Sequence, residues 1–314
     1  IKKTMIKLLK EAYKKLGDVS FCAMLTGSGG VSIASSLDIP FIQEVVATAK
    51  AIEITAPKTD VAIELGGEDA KIIYFSNGIE QRMNGVCAGG TGSFIDQMAS
   101  LLQTDASGLN ELAKNHKVIY PIASRCGVFA KTDIQPLINE GAAKEDLAVS
   151  IFQAVVNQTI SGLACGKPIR GYVTFLGGPL HFLSELRQRF IETLKLTEET
   201  ALLPENSHLF AAYGTALSNE QYAKQMTFPL LLENIFHGEE LEMEVNRLEP
   251  LFESEKAYEL FQQRHDKEKV EKIDLSSYKG DAFLGIDAGS TTTKVALVSE
   301  TGGLLYSYYG SNEG

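Results

Sequence analysis

The sequence has no tryptophan, few cysteines and histidines, and a deficit of positive charge. Its 314 residues include four cysteines and five histidines, and 40 acidic against 29 basic residues give a formal net charge of −11. This charge argues against nonspecific binding to nucleic acid or to an anionic membrane face, because both would repel the chain. No apolar run has the length of a membrane span, and the first residues resemble an amphipathic helix, not a signal peptide. The sequence therefore predicts a globular, cytoplasmic protein without a nucleic-acid or membrane partner.

Two of the four cysteines stand in glycine-rich segments typical of helix starts. Cys87 lies in Gly85-Val-Cys-Ala-Gly-Gly-Thr-Gly-Ser-Phe-Ile-Asp96, and Cys126 lies in Ser124-Arg-Cys-Gly-Val-Phe-Ala-Lys-Thr-Asp133. A helix start carries partial positive charge, which stabilises a thiolate or an anionic metal cluster bound through one. Two thiolates do not complete a four-ligand site, so a second pair must come from elsewhere if metal binds, and zinc stays open on sulfur count alone. Cys22 is expected to pack inside an apolar strand, and Cys165, at a probable helix end, is expected to be structural.

Helical and strand patterns alternate along the first two thirds of the chain. Helices are expected over 3–16, 41–52, roughly 143–163 and 180–194, and strands over 19–25, 60–75 and 171–176. Residues 225–282 are rich in charge and poor in glycine, which indicates a helical connector. We therefore expect a module over 1–224, a connector over 225–282 and a phosphate-binding hairpin over 283–314.

Two segments each combine an acid, a glycine turn and a lysine. They are Gly285-Ile-Asp-Ala-Gly-Ser-Thr-Thr-Thr-Lys294 and Glu64-Leu-Gly-Gly-Glu-Asp-Ala-Lys71. The N–H groups and hydroxyls of such a turn can cradle a polyphosphate, and Asp287 can hold a magnesium-bound water. A third turn, 26–30, has no neighbouring lysine and is given at most a weak nucleotide role. The five histidines show no ligand spacing and are expected at the surface or in local packing.

Both acid–glycine–lysine segments resemble the phosphate-binding hairpins of the acetate kinase, sugar kinase, Hsp70 and actin superfamily. Phe175-Leu-Gly-Gly-Pro-Leu180 resembles its adenosine turn. The two cysteine motifs, with cysteines 39 residues apart (126 − 87), are similar to those of the BadF/BadG/BcrA/BcrD ATPases, the activators of 2-hydroxyacyl-CoA dehydratases and benzoyl-CoA reductases. The resemblance covers 1 to about 222 and again 283–314. It implies an α/β module of the actin, Hsp70 and sugar kinase type, ribonuclease H-like, without its first hairpin.

The resemblance also implies cofactors and partners. A [4Fe-4S] cluster shared between two modules would be held by Cys87 and Cys126, and ATP or ADP would bind with Mg²⁺. Ferredoxin or flavodoxin would donate the electron, and a 2-hydroxyacyl-CoA dehydratase or reductase component would accept it. The other half of the cluster site would come from a homodimer or from a second module of the same chain. The implied nucleotide-binding residues are Gly66, Gly67, Asp69, Gly89, Gly90, Thr91, Gly177, Gly178, Asp287, Gly289, Ser290, Thr291 and Lys294.

Three departures from the family pattern bear on catalysis. The compact activators generally have Asp where Glu64 stands, Gln where Glu68 stands, and an acid where Lys131 stands. Glu64 can still orient a water for attack on the γ-phosphate, although its extra methylene moves the carboxylate. A small-molecule kinase of the same superfamily, or a fragment that only binds nucleotide, remain the alternative functions. For the chain order, we favour a fragment of a tandem-module protein, and circular permutation is the alternative.

Overall fold

The computed structural model describes residues 1–76, 78–85, 89–123, 127–218, 225–237 and 249–312. These residues fall into two compact units, the first ending at 237 and the second beginning at 249. In chain order the first unit contains α1 (Lys2–Leu16), β1 (Ser20–Cys22), α2 (Gly30–Leu37), α3 (Glu44–Thr55), β2 (Val61–Leu65), β3 (Ala70–Tyr74), β4 (Glu80–Met83), α4 (Gly92–Leu101), α5 (Ala106–Ala113), α6 (Gly127–Asn139), α7 (Lys144–Gln158), a π-helical turn (Thr159–Ala164), β5 (Val173–Leu176), α8 (Gly178–Phe182), α9 (Ser184–Leu194), β6 (Ala201–Leu202), a 3-10 turn (Ser207–Leu209), α10 (Phe210–Leu217), β7 (Gln225–Thr227) and α11 (Phe228–His237).

A five-stranded sheet with the order β4-β3-β2-β5-β6 lies at the centre of the first unit. β2, β3 and β4 are antiparallel neighbours, and β2, β5 and β6 run parallel. All residues of β2, β3 and β5 are buried. Such continuous burial requires cover on both faces of the sheet. The predicted hairpin through Gly66 and Gly67 is therefore confirmed, and it occupies the middle of the sheet.

Alternate residues of β2 serve two different cores. Val61, Ile63 and Leu65 pack with residues from α4, α5 and α7. Ala62 packs instead with Ile52 of α3 and with residues of β3, β5 and α10. Because side chains alternate along a strand, the next even position, 64, lies on the α3 face of the sheet.

The bounds of several helices differ from the predicted ones. The helix expected over 41–52 is α3, Glu44–Thr55, and the long helix near 143–163 is α7 followed by its π-helical turn. The segment Lys144–Ala164 is the one described helix long and apolar enough to cross a membrane, and 67% of its most apolar window is buried within the protein. That burial is typical of a core helix. The single helix expected over 180–194 is two helices, because Leu183 has extended backbone with φ −99° and ψ 92°.

A smaller core lies under α1, α2 and α11. Here β1 pairs antiparallel with β7, and Phe21 packs with Met226 and Leu231. Residues 225–237, expected in the connector, thus contribute a strand and a helix to the first unit. Cys22 is exposed, so the expectation that it packs inside an apolar strand is wrong. The reason is alternation: Phe21 takes the core face of β1 and Cys22 the opposite face.

The second unit contains α12 (Glu255–Asp266) and three antiparallel strands, β8 (Ala282–Ala288), β9 (Thr292–Ser299) and β10 (Leu304–Ser311), in the order β10-β9-β8. The expected strand, glycine turn and second strand are present as β8, the turn and β9. Every residue of β8 is exposed. An isolated bridge joins Lys272 to Leu304, the first residue of β10.

Candidate functional site

The turn between β2 and β3 supports the start of α4. Within the turn, the Gly66 N–H donates to the Asp69 carbonyl oxygen at 2.7 Å. The N–H groups of Gly92 and Ser93 donate to the carbonyl oxygens of Gly66 and Gly67 at 2.9 and 2.7 Å. A Cβ on Gly92 would stand 3.1 Å from the Gly66 oxygen, whereas a Cβ on Gly67 would meet nothing within 4 Å. The two glycine turns of the sequence, 66–67 and 89–92, therefore form one surface, and Gly67 borders open space.

Glycine is needed at the approach to α4. Gly90 has a φ of +81°, in the left-handed region that favours glycine, and a Cβ there would stand 3.0 Å from the Gln158 side chain. Thr91 follows as the N-cap of α4 and is fully buried. The left-handed backbone at Gly90 thus leads the chain into the N-cap of α4, and the N–H groups that bond to the hairpin turn follow at Gly92 and Ser93.

The glycine pair after β5 reaches the same end of β2. Gly177 has a φ of +87°, and a Cβ there would overlap the carbonyl oxygen of Leu65. The Gly177 N–H donates to the Ser207 carbonyl oxygen at 3.1 Å. A Cβ on Gly178 would meet nothing within 4 Å. Because β2 and β5 are parallel, their carboxyl ends share one edge of the sheet, which is where ligands bind in open α/β sheets.

Aromatic side chains border the Gly177–Gly178 turn. The His181 and His208 rings lie with centroids 4.1 Å apart, and Phe182 stands edge-on to His181 at 4.7 Å. His181 Nδ1 lies 2.7 Å from the Ser207 hydroxyl oxygen. Burial and the nearby His208 and Arg187 lower the pKa of His181, and Phe182 is 68% exposed. The expectation of local packing holds for these two histidines, and the exposed Phe182 ring offers a flat apolar surface beside the turn.

One lysine is shared by three carboxylates beside the hairpin turn. Lys71 Nζ lies 2.9 Å from Glu44 Oε1, 2.8 Å from Asp69 Oδ2 and 3.8 Å from Glu64 Oε1. The Lys71 side chain is only 5% exposed. Lys71 therefore donates hydrogen bonds to Glu44 and Asp69. Its ammonium is too far from Glu64 for a hydrogen bond and attracts that carboxylate only electrostatically.

Burial raises the pKa of Glu64 from 4.5 to about 7, with Lys71 lowering it and Glu44 and Asp69 raising it. Its Oε2 atom is buried and has no hydrogen-bond partner among the described residues. Burial lowers the pKa of Lys71, but attraction by Glu64 and the hydrogen bonds that Lys71 donates to Asp69 and Glu44 outweigh this and raise it. Lys71 thus stays charged, and Glu64 exchanges a proton near neutral pH.

The structure brings most of the predicted residues of the first unit to one place. Glu64, Asp69 and the three glycine turns meet at the carboxyl end of β2. Cys87 and Cys126 lie outside the described residues. α6 begins at Gly127, which follows Cys126 in the sequence, and α4 begins at Gly92. Within the described ranges, no group of three histidine, cysteine, aspartate or glutamate side chains is placed to hold a metal ion.

Two features of the site were missed or undervalued from the sequence. Glu44 was not singled out, because an acid in the first turn of a helix is ordinarily a partner of the helix dipole. The 26–30 turn was given a weak role, yet it lines a cavity of about 370 Å³ together with Glu44 and Asp69. No local pattern joins positions 26–30 and 44 to position 69, so neither contact could be read from the sequence.

The glycine turn of the second unit is also closed by polar contacts. Lys294 Nζ lies 2.9 Å from Asp287 Oδ2, across the β8–β9 pair. The Gly289 N–H donates to the Thr292 carbonyl oxygen at 3.0 Å, and the Asn312 side-chain amide donates to the Gly289 carbonyl oxygen at 2.8 Å. Asp287, Gly289 and Lys294 therefore lie together, with Ser290 and Thr291 in the same turn.

The central sheet, covered on both faces and with glycine turns at one edge, defines an actin-like ATPase fold. Residues 1–217 match the model of the BadF/BadG/BcrA/BcrD ATPase family, and the chain belongs to that family. It is 32% identical over 178 residues to the (R)-2-hydroxyglutaryl-CoA dehydratase activating ATPase of Acidaminococcus fermentans, covering 56% of this chain and 67% of that protein.

Solved structures agree with the fold. The crystal structure of the Acidaminococcus fermentans (R)-2-hydroxyglutaryl-CoA dehydratase component A has a TM-score of 0.57 at 28% identity, covering 63% of this chain and 75% of that one. The activator of the 2-hydroxyisocaproyl-CoA dehydratase from Clostridium difficile, with bound ADPNP, has a TM-score of 0.58 at 24% identity, covering 78% and 85%. The predicted family and fold are confirmed, and an ordinary small-molecule kinase is not favoured.

Proposed function

We propose that the first unit binds and hydrolyses ATP at the carboxyl end of β2. In the intact protein, we infer, hydrolysis drives a low-potential electron through a [4Fe-4S] cluster to a 2-hydroxyacyl-CoA dehydratase or related reductase component. The observation that carries the proposal is the meeting of three glycine turns beside Glu64, whose Oε2 has no partner among the described residues. The similarity to dehydratase activators supports the acceptor.

The polyphosphate would lie against the surface formed by the hairpin turn and the start of α4. Gly66, Gly67, Gly89, Gly90 and Thr91 would provide this surface, and Gly67 leaves room for close approach of a ligand to the backbone. The N-terminus of α4 favours negative charge there. Mg²⁺ would balance the phosphates beside Asp69, and without it the carboxylates near Lys71 would repel them.

The nucleoside would lie at the Gly177–Gly178 turn. Gly178 has space around it, and the exposed Phe182 ring offers a stacking surface for a purine base. The two ends of the nucleotide would then lie at the carboxyl ends of the two parallel strands β2 and β5.

Glu64 would act on the water that attacks the γ-phosphate. A general base works best when its pKa lies near the working pH. Burial raises the pKa of Glu64 to about 7. Its Oε2, which has no hydrogen-bond partner in the part of the chain that the structure describes, could accept a hydrogen bond from a water, which suits the role implied by the family resemblance.

The cluster would be held by Cys87 and Cys126, with the same pair from a second module or a second copy. α4 and α6 begin shortly after these two cysteines in the sequence, and helix N-termini favour an anionic cluster. When bound, the cluster would supply a one-electron carrier, with ferredoxin or flavodoxin as donor. A reducing, cytoplasmic setting fits such thiolate ligands.

We further propose that 283–314 is the first phosphate hairpin of a second module. Asp287, with Gly289, Ser290, Thr291 and Lys294, would serve a nucleotide and its Mg²⁺ in that module. The first module would then extend to 237, because β7 and α11 belong to the first unit, and the connector would follow it. The competing arrangement is circular permutation, in which the hairpin completes the first module.

Anaerobic reconstitution with iron and sulfide tests the cluster. We expect visible absorption and about four irons per two modules, and loss of both in Cys87→Ser and in Cys126→Ser. Cys22→Ser and Cys165→Ser are matched controls, because both cysteines are exposed, and both should keep the cluster. A cluster retained in Cys87→Ser, or zinc in place of iron, would contradict the proposal.

Hydrolysis is tested separately by phosphate release and by nucleotide binding. Glu64→Gln should bind ATP with about the affinity of the wild type and lose most of its hydrolysis, by about 10²-fold or more. Phosphorylation of an added sugar or acid would favour the kinase. Binding without hydrolysis in the wild type would favour a fragment that only binds nucleotide.

A further inference from the structure

Glu44 lies outside every motif of the sequence, yet it makes one of the two short contacts of the buried lysine. Its Oε1 is 2.9 Å from Lys71 Nζ. We propose that Glu44 is a positioning residue of the ATPase site, which holds the Lys71 ammonium against Asp69 and so keeps it out of hydrogen-bond contact with Glu64. The inference rests on the proposed role of Glu64 as the base.

Glu44 is held in place by the helix that carries it. It stands in the first turn of α3, after Gln43, whose backbone is extended. A Cβ on Gly214 of α10 would overlap the carbonyl oxygen of Ala47, one turn further along α3. This close backbone contact fixes α3 against α10, and therefore fixes the start of α3 beside the hairpin.

Lys71 lies closer to Glu44 and Asp69 than to Glu64. The groups that act on Glu64 are Lys71 from β3, Asp69 from the turn and Glu44 from α3. Lys71 forms hydrogen bonds with Asp69 and Glu44, and Glu64 Oε1 stays 3.8 Å away. One oxygen of Glu64 thus remains without a cation or donor in the described residues, although a buried ammonium lies within one side-chain movement of it.

Removing the charge of Glu44 should redistribute these contacts. In Glu44→Gln, Lys71 loses a charged partner, and Glu64 is the buried carboxylate nearest to take that place. The loss of a neighbouring negative charge and the closer ammonium both stabilise ionised Glu64. Both effects lower its pKa, which makes Glu64 a weaker base that is active at lower pH.

The test is a carboxyl ¹³C titration of the full chain labelled at glutamate, with Glu64→Gln used to assign the Glu64 signal. We expect its midpoint to fall by about one pH unit or more in Glu44→Gln. Glu53→Gln is the matched control: it removes the same charge from α3, where Glu53 is exposed and pairs with Lys50 at 3.2 Å. That variant should leave the Glu64 midpoint unchanged.

An unchanged Glu64 midpoint in folded Glu44→Gln would overturn the inference. If Glu44→Gln does not fold, Asp69→Asn removes the other short partner of Lys71 and should shift the midpoint in the same direction; no shift there would overturn it as well. The titration does not depend on hydrolysis, so a wild type that hydrolyses no ATP would defeat the proposed function alone. With hydrolysis present, the acid limb of the pH–rate profile should move to lower pH in Glu44→Gln and not in Glu53→Gln.

Discussion

Gly214 of α10 and Ala47 of α3 are in direct backbone contact, and a Cβ on Gly214 would overlap the Ala47 carbonyl oxygen. The contact sets the separation of two helices that cover the same face of the central sheet. It also sets where α3 begins, and therefore where Glu44 stands.

Gly214→Ala should destabilise the first unit by about 2 kcal/mol, because α10 and α3 must separate to admit the methyl group. Chemical denaturation of the purified chain measures the change. Gly85→Ala is the control, since a Cβ there would meet nothing within 4 Å, and it should change the free energy of unfolding by less than about 0.5 kcal/mol. Equal effects of the two substitutions would show that the helices can move apart freely.

Glu64 should make stability fall as pH rises. Its pKa is about 7 in the folded chain against an ordinary 4.5, so between these values the folded state binds more protons than the unfolded state. The stability from protonated Glu64 is complete below about pH 4.5 and is lost as pH rises through about 7. Relative to Glu64→Gln, the wild type should lose up to about 3 kcal/mol over this window.

Urea denaturation at pH 5 and pH 8 measures this difference. Glu53→Gln replaces an exposed glutamate on α3. At both pH 5 and pH 8 its free energy of unfolding should equal that of the wild type. A constant gap between the wild type and Glu64→Gln would mean that Glu64 titrates as an ordinary exposed acid.

Asp146 should stabilise the chain at neutral pH. Its Oδ1 accepts hydrogen bonds from the N–H groups of Lys117 and Val118 at 2.6 and 3.0 Å, and these bonds lower its pKa. The stabilisation is present above the ordinary value of 3.8 and is lost as pH falls through the lowered pKa. Asp146→Asn should therefore have a lower urea midpoint at pH 7, with the difference narrowing in strong acid. A difference that widens in acid would have the wrong sign.

Phe182 should contribute to nucleotide affinity through its ring. Phe182→Leu keeps an apolar side chain without the ring and should weaken ATP binding about threefold to tenfold, whereas Phe182→Tyr should bind like the wild type. Isothermal titration calorimetry measures the affinity of the wild type and of both variants for ATP. Equal affinities of all three proteins would remove Phe182 from the site.

The second unit should promote self-association through β8. Phe283, Leu284 and Ile286 are 59%, 61% and 65% exposed, and no described strand pairs with the outer edge of β8. An apolar, unpaired edge strand favours association with another chain. Ile286→Lys should reduce the concentration-dependent mass in light scattering more than Ser307→Lys, which adds the same charge on β10. Equal reductions would indicate a net-charge effect instead.

The hairpin at 61–74 was predictable because its signal is local: two β-rich runs flank a glycine pair. The family followed from motifs that are also local. The Glu44–Lys71 contact was not predictable, since 27 residues separate its partners and α3 is placed beside Lys71 by its packing on the central sheet and on α10. Likewise, the approach of Gly177 to Leu65 depends on parallel pairing of β2 with β5, which no segment of the sequence specifies by itself.

The backbone contact between the start of α4 and the hairpin turn has a mechanical consequence. Two bonds join them, from Gly92 to Gly66 and from Ser93 to Gly67, and both connect backbone atoms. No side-chain rotation can absorb a displacement of the turn, so such a displacement would be transmitted directly to the N-terminal end of α4, the helix that runs ten residues to Leu101.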